Sequence, residues 1–289
     1  MGKLDGKVAL VGGNLGVIKK DKFVKGLGAY IAEDLANEGS NVIIVDIDNN
    51  IAKTCAQTLN NEKIKAKECD LLKDRTFETK EFTNERGEVK TEVIWTNNPS
   101  LNLVNDIVGE FGHLDILVTN FDYFDKGKLE NVTEEFWVTM REQNLTPVFH
   151  LLAAVRDTFA EQRKKTGAFS KVVMITNIAG KAGMSMATVY SALKGSIVSL
   201  VKSMAKEFGR FANVNGVAIA PLSGKDLQGP SDRMKKQFIA GIVASERSQI
   251  DIEPKHIVPM VTLLCSDGAD GISGQIINID GGLWLKLEQ

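Results

Sequence analysis

Hydrophobic positions in this chain gather into short runs, separated by longer stretches where they recur every three or four residues. Residues 7–11, 41–45, 64–69, 114–118, 172–175, 213–218 and 275–279 are the short runs, rich in Val and Ile and bounded by Gly, Asn or Asp. Apolar runs of that length predict strands buried on both faces, as in a parallel sheet. Residues 29–39, 51–60, 101–111, 188–211 and 254–265 carry apolar side chains at helical spacing, with Gly39 as a stop and Pro254 in a first turn. Residues 133–163 read as one long helix bent at Pro147. Strands alternating with helices predict an α/β chain, a doubly wound parallel sheet in three layers, with residues 1–289 as a single domain.

Three stretches break this rhythm. Residues 15–25 are lysine-rich. Residues 73–98 are polar, with a hairpin signal at Arg86-Gly87, and read as a surface insertion: a lid, a subunit contact or a solvated loop. Residues 223–247 are polar and suit a substrate flap.

The first strand runs into Gly12 and Gly13, and Gly26 and Gly28 precede a helix whose following strand ends on Asp46. Strand, glycine turn, helix, strand and acid form a dinucleotide-binding unit. The glycines admit pyrophosphate to the backbone, and the acid accepts from ribose hydroxyls. An acid there repels a 2′-phosphate, so Asp46 predicts NAD(H) in preference to NADP(H). Residues 15–25 interrupt this turn. They push the backbone from the phosphates, offer Lys19, Lys20, Lys22 and Lys25 to a phosphate or a CoA-linked substrate, or form a solvated basic loop. Asp70, after the third strand, caps the next element or touches an adenine edge.

Tyr190 and Lys194 stand four apart on a predicted helix and therefore share a face. An ammonium beside a phenol favours phenolate and brings a group of pKa ~10 towards working pH as an acid or base.

The balance of 35 basic against 37 acidic side chains, pI near 6.0, argues against a nucleic-acid surface. No run has the length of a membrane span, and residues 1–10 lack a signal peptide's apolar core. Cys55, Cys69 and Cys265 are scattered and lack metal-type spacing, as free thiols in a cytoplasmic protein would be.

Taken in order, the split glycine turn, Asp46, Asp70, LDILVTN, QNLTPVF, TNIAG, YSALK, VNGVAIAP and SGQIINIDGG resemble a classical short-chain dehydrogenase/reductase. The resemblance spans nearly the whole chain apart from the two insertions, and implies a Rossmann-type fold. It makes Tyr190 the acid/base at a carbinol or carbonyl oxygen. It gives Lys194 the tasks of lowering the tyrosine's pKa and holding the nicotinamide ribose, and makes Asn144 the anchor of a water. Asn120 and Pro221 fall against the cofactor. The family's serine position holds Asn177, whose amide still has a donor for a carbonyl oxygen. Thr176, one residue earlier on a strand, faces the other way. Phe121 and Asp122 put bulk and charge where small residues usually line the adenosine side, and Leu222 replaces a glycine.

Two functions follow from the resemblance. One is an NAD(H)-dependent oxidoreductase that interconverts a secondary alcohol and a ketone on a small hydroxy or keto substrate. The alternative is a catalytically silent subunit that scaffolds an active partner. A dimer or tetramer is implied by analogy, either of this chain or with an active subunit of the same family.

Overall fold

The computed structural model describes residues 2–73, 76–222 and 251–283. Seven strands form its central sheet: β1 (Val8–Gly12), β4 (Asn41–Val45), β5 (Ile64–Ala66), β8 (Ile116–Thr119), β9 (Ser170–Asn177), β10 (Ala212–Ile219) and β11 (Ile276–Ile279). Their order is β11-β10-β9-β8-β1-β4-β5, with every pairing parallel.

Alternation along the strands divides the core. On β1, Ala9 and Val11 face one layer while Val8 and Leu10 face the other. The first layer holds α1 (Leu27–Asn37), α2 (Asn49–Leu59) and α8 (Pro254–Cys265). The second holds α3 (Pro99–Phe111), α5 (Thr146–Thr166) and α7 (Thr188–Phe208). Both strand faces are covered, which is why the runs are apolar throughout rather than alternating. Chain order reverses between β1 and β8, so a crevice opens at the carboxyl ends of these two strands.

Residues 133–163 form two helices, α4 (Glu134–Asn144) and α5, rather than one bent helix. Pro147 has no N–H and occupies the first turn of α5, so the break falls just before it, at Leu145. Asn144 therefore ends α4.

The lysine-rich insertion is a hairpin, β2 (Gly16–Lys19) paired with β3 (Lys22–Lys25). Lys20 and Asp21 both have positive φ, 48° and 60°, as a two-residue primed turn requires. Residues 73–98 contain a second hairpin, β6 (Thr76–Thr83) with β7 (Val89–Asn97), and Asn84 Oδ1 closes its turn by accepting from Arg86 and Glu88 N–H. The stretch read as a flap, 223–247, lies outside the described residues. Among the described residues no helix is long and apolar enough to cross a membrane.

Candidate active site

Strand β9 leads through the short helix α6 (Ala179–Ala182) to α7, whose first turns carry Tyr190 and Lys194. Gly180 permits this return: a Cβ there would stand 2.4 Å from the Lys194 carbonyl carbon. Both side chains are almost wholly buried and aim at the loop leaving β8. The Tyr190 hydroxyl donates to Asp122 Oδ1 at 2.8 Å. Lys194 Nζ donates to the Phe121 carbonyl at 2.7 Å and stands 2.8 Å from the same Asp122 oxygen.

This arrangement corrects the expectation that Lys194 draws the phenol down. Burial first, then the Asp122 charge, then the hydrogen bond Asp122 accepts, push Tyr190 well above the ordinary phenol range. Asp122 lies against the tyrosine–lysine pair. A lysine buried at this depth needs a counter-charge, and that need was the available signal for Asp122.

Asn144 is fully buried and grips the same loop, donating to Tyr123 O at 2.9 Å and accepting from Tyr123 N at 3.0 Å. It also donates to Met140 O at 2.9 Å. Phe124 stands edge-on to the Tyr190 ring, centroids 5.0 Å apart. Tyr190 and Lys194 thus share a face as their spacing implied, and Asn144, which the resemblance placed with them, holds the same loop through Tyr123. Asn177 Oδ1 accepts from Ala179 N at 2.9 Å, pinning the start of α6. Thr176 turns away and donates to Lys194 O at 2.9 Å.

The glycine turn lies across the crevice. A Cβ on Gly28 would stand 2.3 Å from Gly13 O, so helix and turn touch backbone to backbone. Gly26 caps α1, its N–H donating to Leu15 O at 2.9 Å, while Gly28 N–H donates to Asn14 O at 2.9 Å. Asp46, the acid expected at a ribose, accepts from Leu15 N at 3.2 Å, and burial raises its carboxyl to about 6. Of the four lysines of the first insertion, Lys25 is bound to Glu33 at 2.8 Å, whereas Lys19, Lys20 and Lys22 are exposed. Asp70 caps its own loop through Leu72 and Lys73 N–H. Asn120 N–H donates to Gly12 O at 2.7 Å, and Pro221 is half-buried after β10.

The crevice shows two things relevant to a dinucleotide. Thr119 Oγ1 and Asn120 Nδ2 are buried there without a hydrogen-bond partner among the described residues, as a polar ligand would suit. Against this, the Phe121 ring lies on the turn: a Cβ on Gly13 would meet its Cδ1 at 2.6 Å, and one on Gly12 would meet its edge at 3.1 Å. With the ring on the glycines and a carboxylate on Tyr190 and Lys194, this arrangement does not fit a dinucleotide.

A family model described as enoyl-(acyl carrier protein) reductase matches residues 96–284. The chain belongs to that family, within the short-chain dehydrogenase/reductases, which are oxidoreductases with a Rossmann-type fold. Among curated relatives, it is 27% identical over 284 residues to the 3-oxoacyl-[acyl-carrier-protein] reductase FabG of Haemophilus influenzae, covering 98% of this chain and 100% of that one. The Staphylococcus aureus FabG is 29% identical over 264 residues, 90% of this chain and 95% of its own. Among solved structures, the fold is similar to a 3-ketoacyl-(acyl-carrier-protein) reductase from Brucella melitensis complexed with NADH, with a TM-score of 0.75, 22% identity, and coverage of 97% and 99%. A short-chain type dehydrogenase/reductase from Mycobacterium ulcerans gives a TM-score of 0.73 at 20% identity, covering 98% and 91%.

Proposed function

We propose that the chain is an oxidoreductase acting on the oxo or hydroxy group of a small acyl thioester, with Tyr190 as proton donor and acceptor at the reacting oxygen. One observation carries this reading: Tyr190 Oη and Lys194 Nζ converge on a single oxygen atom, each at 2.8 Å. A hydroxyl and an ammonium aimed at one oxygen can polarise a carbonyl and protonate it as charge develops. The substrate class comes from the reductases of 3-oxoacyl groups that the chain resembles. A nicotinamide cofactor, NADH in preference through Asp46, belongs to a form in which Phe121 and Asp122 have left the crevice. Turnover of 3-oxoacyl thioesters with NADH and with NADPH, in the native chain and in Tyr190→Phe, tests the reading. Turnover in the native chain and its loss in the variant support it, and equal rates remove Tyr190 from the role.

A second reading, the silent subunit, is favoured by Asp122 itself, a carboxylate already seated on both working groups. Its contact would run through α5 and α7. A cavity of about 550 Å³ there is lined by Arg141, Leu145, Phe149 and Leu200, with Phe149 half-exposed. We read it as the face that meets another subunit of the same fold. A native chain that turns over no oxoacyl thioester but forms a defined assembly in light scattering would favour this reading over the first.

A further inference from the structure

We propose that residues 121–122 are an internal plug: the Phe121 ring and the Asp122 carboxylate fill the crevice between β1 and β8, and a dinucleotide binds only after they withdraw. The inference rests on reading Tyr190 and Lys194 as the ligand-holding pair.

The plug matches its socket in charge and shape. Lys194 is 1% exposed, and an ammonium at that depth is strongly unfavourable without an opposite charge. Asp122 provides the charge, the Phe121 carbonyl a second acceptor, and Tyr190 spends its proton on the same carboxylate. Phe121 is 3% exposed and presses on the two glycines whose bareness would otherwise admit a ligand to the backbone. A side chain smaller than phenylalanine at 121 would leave that backbone open.

The segment belongs to none of the regular elements. Its ends are fixed by backbone bonds, Asn120 N to Gly12 O at 2.7 Å and Gly127 N to Met186 O at 2.9 Å. Between them it is neither helix nor strand, and it is held through Lys194, Tyr190 and Asn144. A ligand that displaces Asp122 must bring oxygen atoms for Tyr190 and Lys194, which selects hydroxyl-rich or anionic groups over apolar ones.

The test is calorimetric titration of the full chain with NADH and, separately, NADPH. It compares the native protein with Phe121→Ala, Asp122→Asn and the double variant. Asp122→Asn keeps the volume and a carbonyl acceptor for Lys194, while Phe121→Ala leaves the ion pair intact. One variant thus stays informative if the other fails to fold. We expect at least tenfold tighter binding of one dinucleotide by the double variant than by the native chain. Native binding as tight as the variant's overturns the plug, as does a folded double variant that binds neither dinucleotide. Turnover separates the two claims. A variant that binds but reduces no oxoacyl thioester keeps the plug and sinks the reductase reading. A native chain that turns over as fast as the variant does the reverse.

Discussion

The Tyr190 hydroxyl and the Asp122 carboxylate share a hydrogen bond of 2.8 Å inside the protein, with Lys194 at the same distance from the same carboxylate oxygen. The phenol therefore faces an anion before it faces a cation. Two of the three influences that raise its pKa come from Asp122, after burial. Asp122→Asn removes the charge and weakens the acceptor, so Tyr190 should ionise at lower pH than in the native chain. Ultraviolet titration of the phenolate, with Tyr190→Phe subtracted to remove Tyr30 and Tyr123, reads this directly. An unchanged curve would mean that Asp122 is not the anion beside Tyr190.

Asn144 ties the end of α4 to the loop that carries Asp122, making three hydrogen bonds with no exposure to solvent. Asn144→Ala leaves the Tyr123 N–H and carbonyl without their partner and takes the side-chain donor from the Met140 carbonyl. The expected cost is about 2–4 kcal/mol, because orphaned buried groups cost more than an average hydrogen bond contributes. Urea denaturation measures it, and a loss below about 1 kcal/mol would mean the loop finds other partners.

The strands were legible because both of their faces are buried: Val172 to Ile175 could scarcely be anything else in a chain of this pattern. The break between α4 and α5 was harder to read. A proline in a first turn and a proline bending one helix look alike until the backbone before it is seen. Tyr190, Lys194 and Asn144 were also legible, through spacing and resemblance. Their partners were not, because Asp122 reaches Tyr190 across 68 positions of sequence. No periodicity encodes such a contact. The same holds for Asp46, whose place after β4 suggested a ribose, while its Leu15 N–H donor lies 31 positions away in sequence.

Asp46 carries a pH signature. Its carboxyl is raised from 3.8 to about 6, mainly by burial and against the pull of the Leu15 N–H. The folded chain therefore holds this proton more tightly than the unfolded one. The stabilising contribution is complete below 3.8 and is lost as pH rises through about 6. Asp46→Asn mimics the protonated form, so it should be more stable than the native chain above that range, by up to about 3 kcal/mol, and equal to it in acid. Denaturation midpoints across the range decide the matter. A difference that is constant with pH would remove Asp46 as the titrating group.

The β6–β7 hairpin gives the last prediction. All eight β6 residues are exposed, Phe77 and Phe82 included, and the core strands reach their register without it. The hairpin ends just before Asn98, whose side chain accepts from Leu101 N at 3.1 Å and caps α3. Replacing residues 76–97 with a short glycine-serine linker keeps that cap and shortens the loop, an entropic change of only about 1 kcal/mol. The fold should survive with a melting temperature within about 5 °C of the native value. Light scattering on the same sample asks whether the hairpin serves another subunit. If the shortened chain melts as the native one does but loses its assembly, residues 73–98 are the contact. If it unfolds outright, the hairpin belongs to the core in a way the exposure of β6 contradicts.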